Sequence, residues 1–302
     1  MKILFILSRD VMFFHGSGEV ETKLLQIGFQ LLGHECHVAG LDSGDFSEYD
    51  LYCLFSIRDD VLTLLDSIPA QRSCLIVPQV DSLEQSQAER IARHASHLRQ
   101  MAVLSRSAEE RQHLGALDPG LAVVHVDGWF LKPFVRDALS LVDEPAVRTG
   151  YWLAMVSPDR DAGLLEFARR VSDREQELLI LSDRPSEHRA RFGDLANVRF
   201  ERRRAYGSRP WFSALDGCRG LYEPNPRLTC SVLEALWMGK AVVSPHASAL
   251  NAALGRPLVA SAESVEPAQA VPVETPRADL YSYHANFVAA AIEGHLCGGR
   301  SA

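Results

Sequence analysis

The sequence is short of lysine, of closely spaced cysteines and of long hydrophobic runs. Its only lysines are Lys2, Lys23, Lys132 and Lys240, and 39 acidic against 31 basic residues give a net charge of −8. Because a negative overall field disfavours contact with a polyanion, we expect no nucleic-acid partner. The six cysteines are scattered, several of them in apolar runs. This is typical of reduced, buried thiols and argues against a disulfide framework.

Targeting and metal-binding patterns are equally scarce. The apolar run Met1–Leu7 is followed at once by charged residues, so it is too short for a signal peptide. No segment reaches the roughly 18 apolar residues of a membrane-spanning helix. His34, Cys36 and His37 lie close in sequence, but nothing completes a ligand set, which favours ordinary structural histidines. We expect a cytoplasmic protein with no metal and no bound cofactor.

What the sequence does contain is the composition of a globular protein, with 47% hydrophobic and 23% charged residues. Short apolar runs alternate with helical patterns from Lys2–Leu7 to Leu121–Val126, and the alternation restarts at Tyr151–Val156 after a more polar stretch. Strands that alternate with helices form parallel sheets covered on both faces. We therefore predict an α/β fold with two Rossmann-like domains that face each other across a ligand-binding cleft.

The most informative segment is Leu221–Ser244, LYEPNPRLTCSVLEALWMGKAVVS, in which a strand, a loop, a helix and a second strand follow one another. The first turn of the helix, near Thr229–Ser231, offers unpaired backbone N–H groups and the positive end of the helix dipole, both suited to a diphosphate. Glu234 lies one turn further, where a carboxylate accepts hydrogen bonds from a ribose diol. The alternative is a plain α/β unit in which Glu234 is only a solvated helix residue.

This segment resembles the nucleotide-sugar site of retaining GT-B glycosyltransferases of the group 1 family, whose pattern is E-x7-E followed by A-x-x-x-G-x-P-V-V. Glu234 matches the second Glu, which holds the donor ribose in that family, whereas the first Glu falls on Pro226 and is absent. The similarity begins at the opening strand Lys2–Leu7 and continues through the glycine loop Gly16–Glu19 and the turn at Leu32–Val38, LGHECHV. It ends at Ser282–Leu296, which resembles the closing helix that crosses back to the first domain.

The resemblance implies a division of the chain into three parts. Residues 1–148 would form an N-terminal Rossmann-like domain on the acceptor side, and residues 149–280 a C-terminal Rossmann-like domain on the donor side. Residues 281–302 would form the closing helix and tail.

The two cations that neutralise the leaving diphosphate in that family are replaced in this chain. The Arg and the Lys of the family's G-R-x4-K-G pattern align with Ser157 and Ala162 in this chain. The stretch Ser157–Leu164 is similar to an S-S-P-D-R-G-L variant of the same loop, which makes Arg160 the candidate cation, since guanidinium binds phosphate well. A surface arginine in a Pro-Asp turn is the alternative.

The first loop carries three further candidates. Gly16 and Gly18 would let backbone approach a donor phosphate closely, with an ordinary strand–helix turn as the alternative. His15 would approach an acceptor hydroxyl, with a polar loop residue of no functional role as the alternative. The predicted catalytic residues are therefore Arg160 and His15, and the predicted donor-binding residues are Glu234, Thr229, Cys230, Ser231, Gly16, Gly18, Ser157 and Asn225.

The function that the resemblance implies is transfer of a sugar from a nucleotide diphosphate donor to an acceptor hydroxyl, with retained anomeric configuration and without a metal. The acceptor would be a glycan, a lipid-linked molecule or a small molecule. The basic run Arg199–Arg204 either faces an anionic lipid, with peripheral contact at the inner membrane face, or is a solvated surface.

Two alternatives of another kind stay open. The first is a catalytically degenerate GT-B-like protein that binds a nucleotide, a sugar or a partner, as suggested by Pro226, the missing Arg/Lys pair and the loop-like stretch Leu254–Leu280. The second is an unrelated enzyme with two Rossmann-like domains, such as a sugar-nucleotide epimerase.

Overall fold

In a computed structural model the chain forms two compact units. The first consists of Met1–Phe130 together with Tyr281–Ala302, and the second of Leu131–Leu280. The predicted boundary at residue 148 lies outside the residues that the structure describes. Those residues are 1–7, 17–40, 48–55, 61, 64, 68, 73–77, 89, 91–130, 150–156, 161–204, 208–263 and 283–298.

The described residues contain twelve strands, six in each unit, all of which pair in parallel. The strands are β1 Lys2–Leu7, β2 Glu35–Gly40, β3 Leu51–Phe55, β4 Ser73–Val77, β5 Ala102–Ser105, β6 Ala122–His125, β7 Tyr151–Val156, β8 Leu178–Ser182, β9 Val198–Arg202, β10 Cys218–Tyr222, β11 Ala241–Ser244 and β12 Ala260–Ser261. The order is β2-β1-β3-β4-β5-β6 in the first sheet and β12-β11-β10-β7-β8-β9 in the second. Both are α/β sheets, which confirms the predicted fold class.

Helices follow most of these strands. They are α1 Ser17–Leu31, α2 Ala95–Leu98, α3 Ala108–Leu117, α4 Leu164–Asp173, α5 Pro185–Phe192, α6 Arg209–Gly217, α7 Cys230–Trp237, α8 Ala247–Leu254 and α9 Ala285–Gly298. Burial on both faces explains why the central strands read as continuous apolar runs: every residue of β3, β7 and β8 is buried.

The last helix, α9, packs on α1 of the first unit, as predicted for the closing helix. Its buried residues Ala285, Val288, Ala289 and Ile292 recur at helical spacing and form one apolar face. Gly28 of α1 lies against the backbone of Ala285, so close that a methyl group at this position would overlap its carbonyl. A glycine is therefore what lets the two helices approach.

The second unit has elements that the sequence pattern did not reveal, namely α5, α6, α8 and the short strand β12. Helix α5 buries only His188 and Phe192 and is otherwise polar, so it carries little helical periodicity. The interpretation of Leu254–Leu280 as mostly loop is wrong at Ala260–Ser261, which pairs with β11. Residues 264–280 lie outside the described part of the chain. No helix of the described residues is both long and apolar enough to cross a bilayer.

Candidate functional site

The carboxyl end of β10 leads through the loop 223–229 into α7, and this is where the predicted donor residues lie. Thr229 is the N-cap residue of α7, with extended backbone, and its Oγ1 accepts a hydrogen bond of 3.3 Å from the N–H of Val232. This cap satisfies one of the helix's first N–H groups. Every residue of α7 is buried.

A buried carboxylate that the sequence analysis passed over holds this loop together. Glu223, the residue after β10, is 4% exposed. Its Oε2 accepts from Thr229 Oγ1 at 2.7 Å, and its Oε1 accepts from the backbone N–H of Asn225 at 3.0 Å and from the Asn225 side-chain amide. Burial raises the pKa of the Glu223 carboxyl, and these hydrogen bonds act in the opposite direction. Thr229 donates its hydroxyl proton to Glu223, so the Oγ1 lone pairs of Thr229 are free to accept from the N–H of Val232 in the helix.

Ser231 supplies the open donors of the site. It is nine-tenths buried at the first turn of α7, with 9% exposure. Within the part of the chain that the structure describes, neither its N–H nor its hydroxyl has a hydrogen-bond partner. These two donors lie at the positive end of the helix dipole, which suits them to an anionic ligand.

Glu234 lies one turn further along α7 and is fully buried, so it is not the solvated residue of the alternative interpretation. Its Oε2 accepts a hydrogen bond of 3.2 Å from the indole Nε1 of Trp211 on α6. Trp211 is itself 3% exposed. Contact between Glu234 and a ribose therefore requires that binding exposes the carboxylate.

The end of α7 follows the sequence pattern. Gly239 adopts a left-handed φ of 69°, and the N–H of Lys240 returns to the carbonyl of Ala235 at 2.9 Å. This is the usual glycine-terminated helix end. Lys240 directs its ammonium group to the Asp216 carbonyl at the end of α6, so it acts on a helix terminus.

A second fixed turn, Asp161–Gly163, precedes α4 in the same unit. Asp161 accepts from the guanidinium of Arg191, at 2.9 Å, and lies 3.1 Å from Nε2 of the buried His188. The hydroxyl of Tyr222, at the end of β10, donates to the Ala162 carbonyl at 2.6 Å. These contacts hold the turn to the end of β10 and to α5.

The structure brings part of the predicted site together and leaves part undescribed. Asn225, Thr229, Cys230, Ser231 and Glu234 share one loop and helix, as their sequence positions require. Gly18 lies in the first turn of α1. His15, Gly16, Ser157 and Arg160 lie outside the described residues.

Sequence reasoning missed Glu223 and Trp211. The signal for Glu223 was available: an acidic residue directly after a buried strand, followed by the turn residue Asn225 and the cap residue Thr229. The E-x7-E spacing places the first glutamate at Pro226 instead of at Glu223. Nothing in the sequence connected Trp211 with Glu234, since their contact is tertiary.

The other polar clusters of the chain have partners. His34 lies between the N-terminal amine and Glu293, and His37 contacts Glu35. Among the described residues no group of three or more histidine, cysteine or acidic side chains is arranged to hold a metal. The basic run is largely neutralised, as shown by the ion pairs Arg199–Glu177, Arg203–Asp183 and Arg204–Glu201.

Comparison with known proteins identifies the fold. No protein-family profile matches the sequence, and no curated protein matches it. Sucrose-phosphate synthase from Thermosynechococcus elongatus is similar over 100% of this chain and 99% of its own, with a TM-score of 0.67 and 12% identity. AviGT4, a glycosyltransferase involved in avilamycin A biosynthesis, is similar over 99% of both chains, with a TM-score of 0.64 and 14% identity.

A third solved structure, UDP-N-acetylglucosamine 2-epimerase from Rickettsia bellii, is similar over 99% of this chain and 96% of its own, with a TM-score of 0.56 and 11% identity. At these identities the likeness defines the fold and not the reaction. The chain has the GT-B fold of the glycosyltransferases.

Proposed function

We propose that this protein is a glycosyltransferase that moves a sugar from a nucleoside-diphosphate sugar to an acceptor hydroxyl. The observation that carries the proposal is the N-terminal end of α7, where the N–H and hydroxyl of Ser231 lie beside a loop held by the hydrogen bond between Thr229 and Glu223. Such an end binds phosphate groups. The GT-B fold over the whole chain is consistent with it.

In the reaction we propose, the bond between the anomeric carbon and the diphosphate oxygen breaks, and its electron pair stays on the diphosphate. The acceptor oxygen forms the new bond to that carbon, and the acceptor's hydroxyl proton passes to the departing phosphate oxygen. The protein has to position the reactants and stabilise the charge that grows on the diphosphate. This route retains anomeric configuration and needs neither a protein nucleophile nor a metal.

Each predicted site residue has a proposed role in binding the donor or the acceptor. The N-terminal turn of α7, with Thr229, Cys230 and Ser231, would hold the diphosphate, and Glu234 would hold the ribose. Asn225 would shape the loop through Glu223. Arg160 would neutralise the leaving group, Ser157 and the glycines Gly16 and Gly18 would contact the donor, and His15 would meet the acceptor.

Two observations favour a second candidate, a nucleotide-binding protein without transferase activity. Glu234 is fully buried and accepts a hydrogen bond from Trp211. The exposed Pro226 occupies the position of the first glutamate of the family pattern. Such a protein would bind a nucleoside diphosphate at the same helix end and release nothing from a sugar nucleotide. The similarity to an epimerase makes UDP-N-acetylglucosamine one of the sugar nucleotides to test.

Isothermal titration with UDP, GDP and ADP tests the site, and release of nucleotide from the matching sugar nucleotides tests the reaction. Binding by one nucleotide together with slow release of it supports the transferase. Binding without release, in the presence of a panel of glycan, sugar-phosphate and lipid-linked acceptors, supports the second candidate. No binding of any of the three at millimolar concentration contradicts the proposed site.

A further inference from the structure

Away from the donor site, the first unit places a serine, a histidine and an aspartate in one hydrogen-bonded row. Ser105 and His125 are the last residues of β5 and β6 and form the last pair of that parallel ladder. The Ser105 hydroxyl is 2.9 Å from Nδ1 of His125, and Nε2 of His125 is 3.0 Å from Oδ1 of Asp127. The row lies at the carboxyl ends of parallel strands, which is the edge where such sheets bind their ligands.

The chemistry of these groups determines where their protons lie. An ionised carboxylate can only accept, so Nε2 of His125 carries a proton and donates it to Asp127. In the neutral ring Nδ1 then accepts from the Ser105 hydroxyl. When the ring is protonated, Nδ1 donates to the hydroxyl oxygen, and the hydroxyl proton turns to the Val124 carbonyl, 3.5 Å away. Oδ1 of Asp127 is therefore engaged in both charge states of His125, and the carboxylate keeps one orientation.

The second oxygen of Asp127 is left open. No group in the described part of the chain donates to Oδ2, and the side chain keeps 27% of its surface exposed. A carboxylate oxygen has two lone pairs, so it can accept from two neighbouring hydroxyl groups of a ligand. The same charge repels a phosphate. The open oxygen therefore favours a neutral ligand that is rich in hydroxyl groups.

The backbone after β6 is fixed on both sides of Asp127. The N–H of Val126 donates to the carbonyl of the last residue of β5 at 3.0 Å, and the N–H of Phe130 donates to the Tyr283 carbonyl at 3.0 Å. Between them Gly128 adopts a φ of 129°, in the region that favours glycine. A binding group that is already held in place loses little conformational entropy when it binds its ligand.

We propose that Asp127, oriented by His125, binds hydroxyl groups of the acceptor, and that this acceptor is a neutral sugar. The inference rests on the proposed function, since it names the acceptor class for the unit that is the acceptor side of the proposed enzyme. A carboxylate that accepts from a sugar hydroxyl forms a charge-assisted hydrogen bond, which is stronger than one between neutral groups. His125 is a positioning residue, because both of its ring nitrogens are engaged and it acts through the carboxylate.

The test compares acceptor and donor in one kinetic measurement. Release of nucleotide from the sugar nucleotide that the wild type uses is followed with and without glucose, galactose, mannose, N-acetylglucosamine and maltose. We expect one of these sugars to accelerate the release. In Asp127→Asn the KM for that sugar should rise about tenfold or more, as for the loss of a charge-assisted hydrogen bond, while the KM for the sugar nucleotide changes less than about twofold.

Asp118→Asn is the matched control. Asp118 precedes β6 at its amino end, where its carboxylate pairs with Arg99 at 2.8 Å, so the variant loses a charge and an ion pair of the same unit. Both KM values should stay unchanged. At His125, phenylalanine removes the donor to Asp127 whereas glutamine keeps an N–H group. The KM for the sugar should therefore rise several-fold in His125→Phe and stay closer to the wild-type value in His125→Gln.

The other outcomes separate the proposal from the proposed function. An unchanged KM for the sugar in Asp127→Asn, or an equal rise of both KM values, overturns the role of Asp127 and leaves the proposed function intact. Basal release that none of the five sugars accelerates overturns the acceptor class, with the donor site still supported. A wild type that neither binds nor releases nucleotide contradicts the proposed function itself.

A second variant decides if Asp127→Asn does not fold. Asp127→Glu keeps the charge and moves the carboxylate oxygens by one methylene group. We expect a several-fold rise in the KM for the sugar alone, and an unchanged KM contradicts the proposal.

Discussion

The imidazole of His188 lies between Ser182 and Asp161 and connects the end of β8 with the turn Asp161–Gly163. Its Nε2 is 3.1 Å from Oδ2 of Asp161, and its Nδ1 is 2.8 Å from the hydroxyl of Ser182, the last residue of β8. Both ring nitrogens are therefore engaged, and the ring is fully buried. This bridge fixes the turn that follows the predicted cation Arg160 in sequence.

The bridge predicts a pH dependence of stability. Burial lowers the pKa of His188 below its ordinary value, although Asp161 acts in the opposite direction. The unfolded chain therefore takes up the proton first, so the stability that His188 contributes is present above about pH 6.5 and is lost as the pH falls below it. In His188→Gln, which keeps a donor toward Asp161 and does not titrate, the free energy of unfolding should decline less between pH 7.5 and pH 5. Urea denaturation at each pH measures this free energy. An equal decline between pH 7.5 and pH 5 in the wild type and in His188→Gln would contradict this assignment.

Glu234→Ala should weaken nucleotide binding about tenfold or more, because the ribose loses charge-assisted hydrogen bonds worth roughly 1.5–3 kcal/mol. Isothermal titration with the nucleotide that the wild type binds measures the loss. Trp211→Phe is the matched control, since it removes the 3.2 Å hydrogen bond to Glu234 and keeps the carboxylate. If Glu234→Ala folds and binds nucleotide as well as the wild type, Glu234 has a structural role and does not contact the nucleotide.

Arg160→Ala should lower turnover more than nucleotide affinity, because a cation at the leaving group acts most strongly in the transition state. Loss of one preorganised donor of this kind typically costs about 100- to 1000-fold in rate. The measurement is nucleotide release from a sugar nucleotide, with slow hydrolysis in place of the acceptor. Equal release by wild type and variant removes Arg160 from the site.

Gly28→Ala should destabilise the first unit by about 1–3 kcal/mol, since the added methyl overlaps the carbonyl of Ala285 and forces α1 and α9 apart. Gly115→Ala in α3 is the matched control: that position has open space around it, so a better helix former should stabilise by about 0.5–1 kcal/mol. Urea denaturation measures both changes. A neutral Gly28→Ala would show that the two helices can separate at no cost.

The strands and the segment around α7 could be predicted because their signals are local. Apolar runs such as Tyr151–Val156 mark buried parallel strands, and Gly239 marks the end of a helix by a backbone angle that other residues rarely adopt. The polar helix α5 was missed because its stability comes from two buried residues and from its place on the sheet.

The backbone elements of the candidate site could be predicted from the sequence, whereas most of its side-chain contacts could not. A helix N-terminus after a strand follows from sequence order, and Thr229 is a recognisable cap residue. The contacts of Glu234 with Trp211, and of Asp161 with His188, join residues 23 and 27 positions apart, and no pattern in the sequence encodes such pairings. The roles of His15, Gly16, Ser157 and Arg160 stay predictions.

The packing of α9 on α1 has a consequence for the order in which the protein is made. The first unit draws its strands from the beginning of the chain and its last helix from Ala285–Gly298, whereas the second unit is continuous from Leu131 to Leu280. On the ribosome, the second unit therefore emerges completely before α9, the helix that packs on α1, has emerged. The unit whose synthesis begins first is therefore completed only after the second unit has emerged.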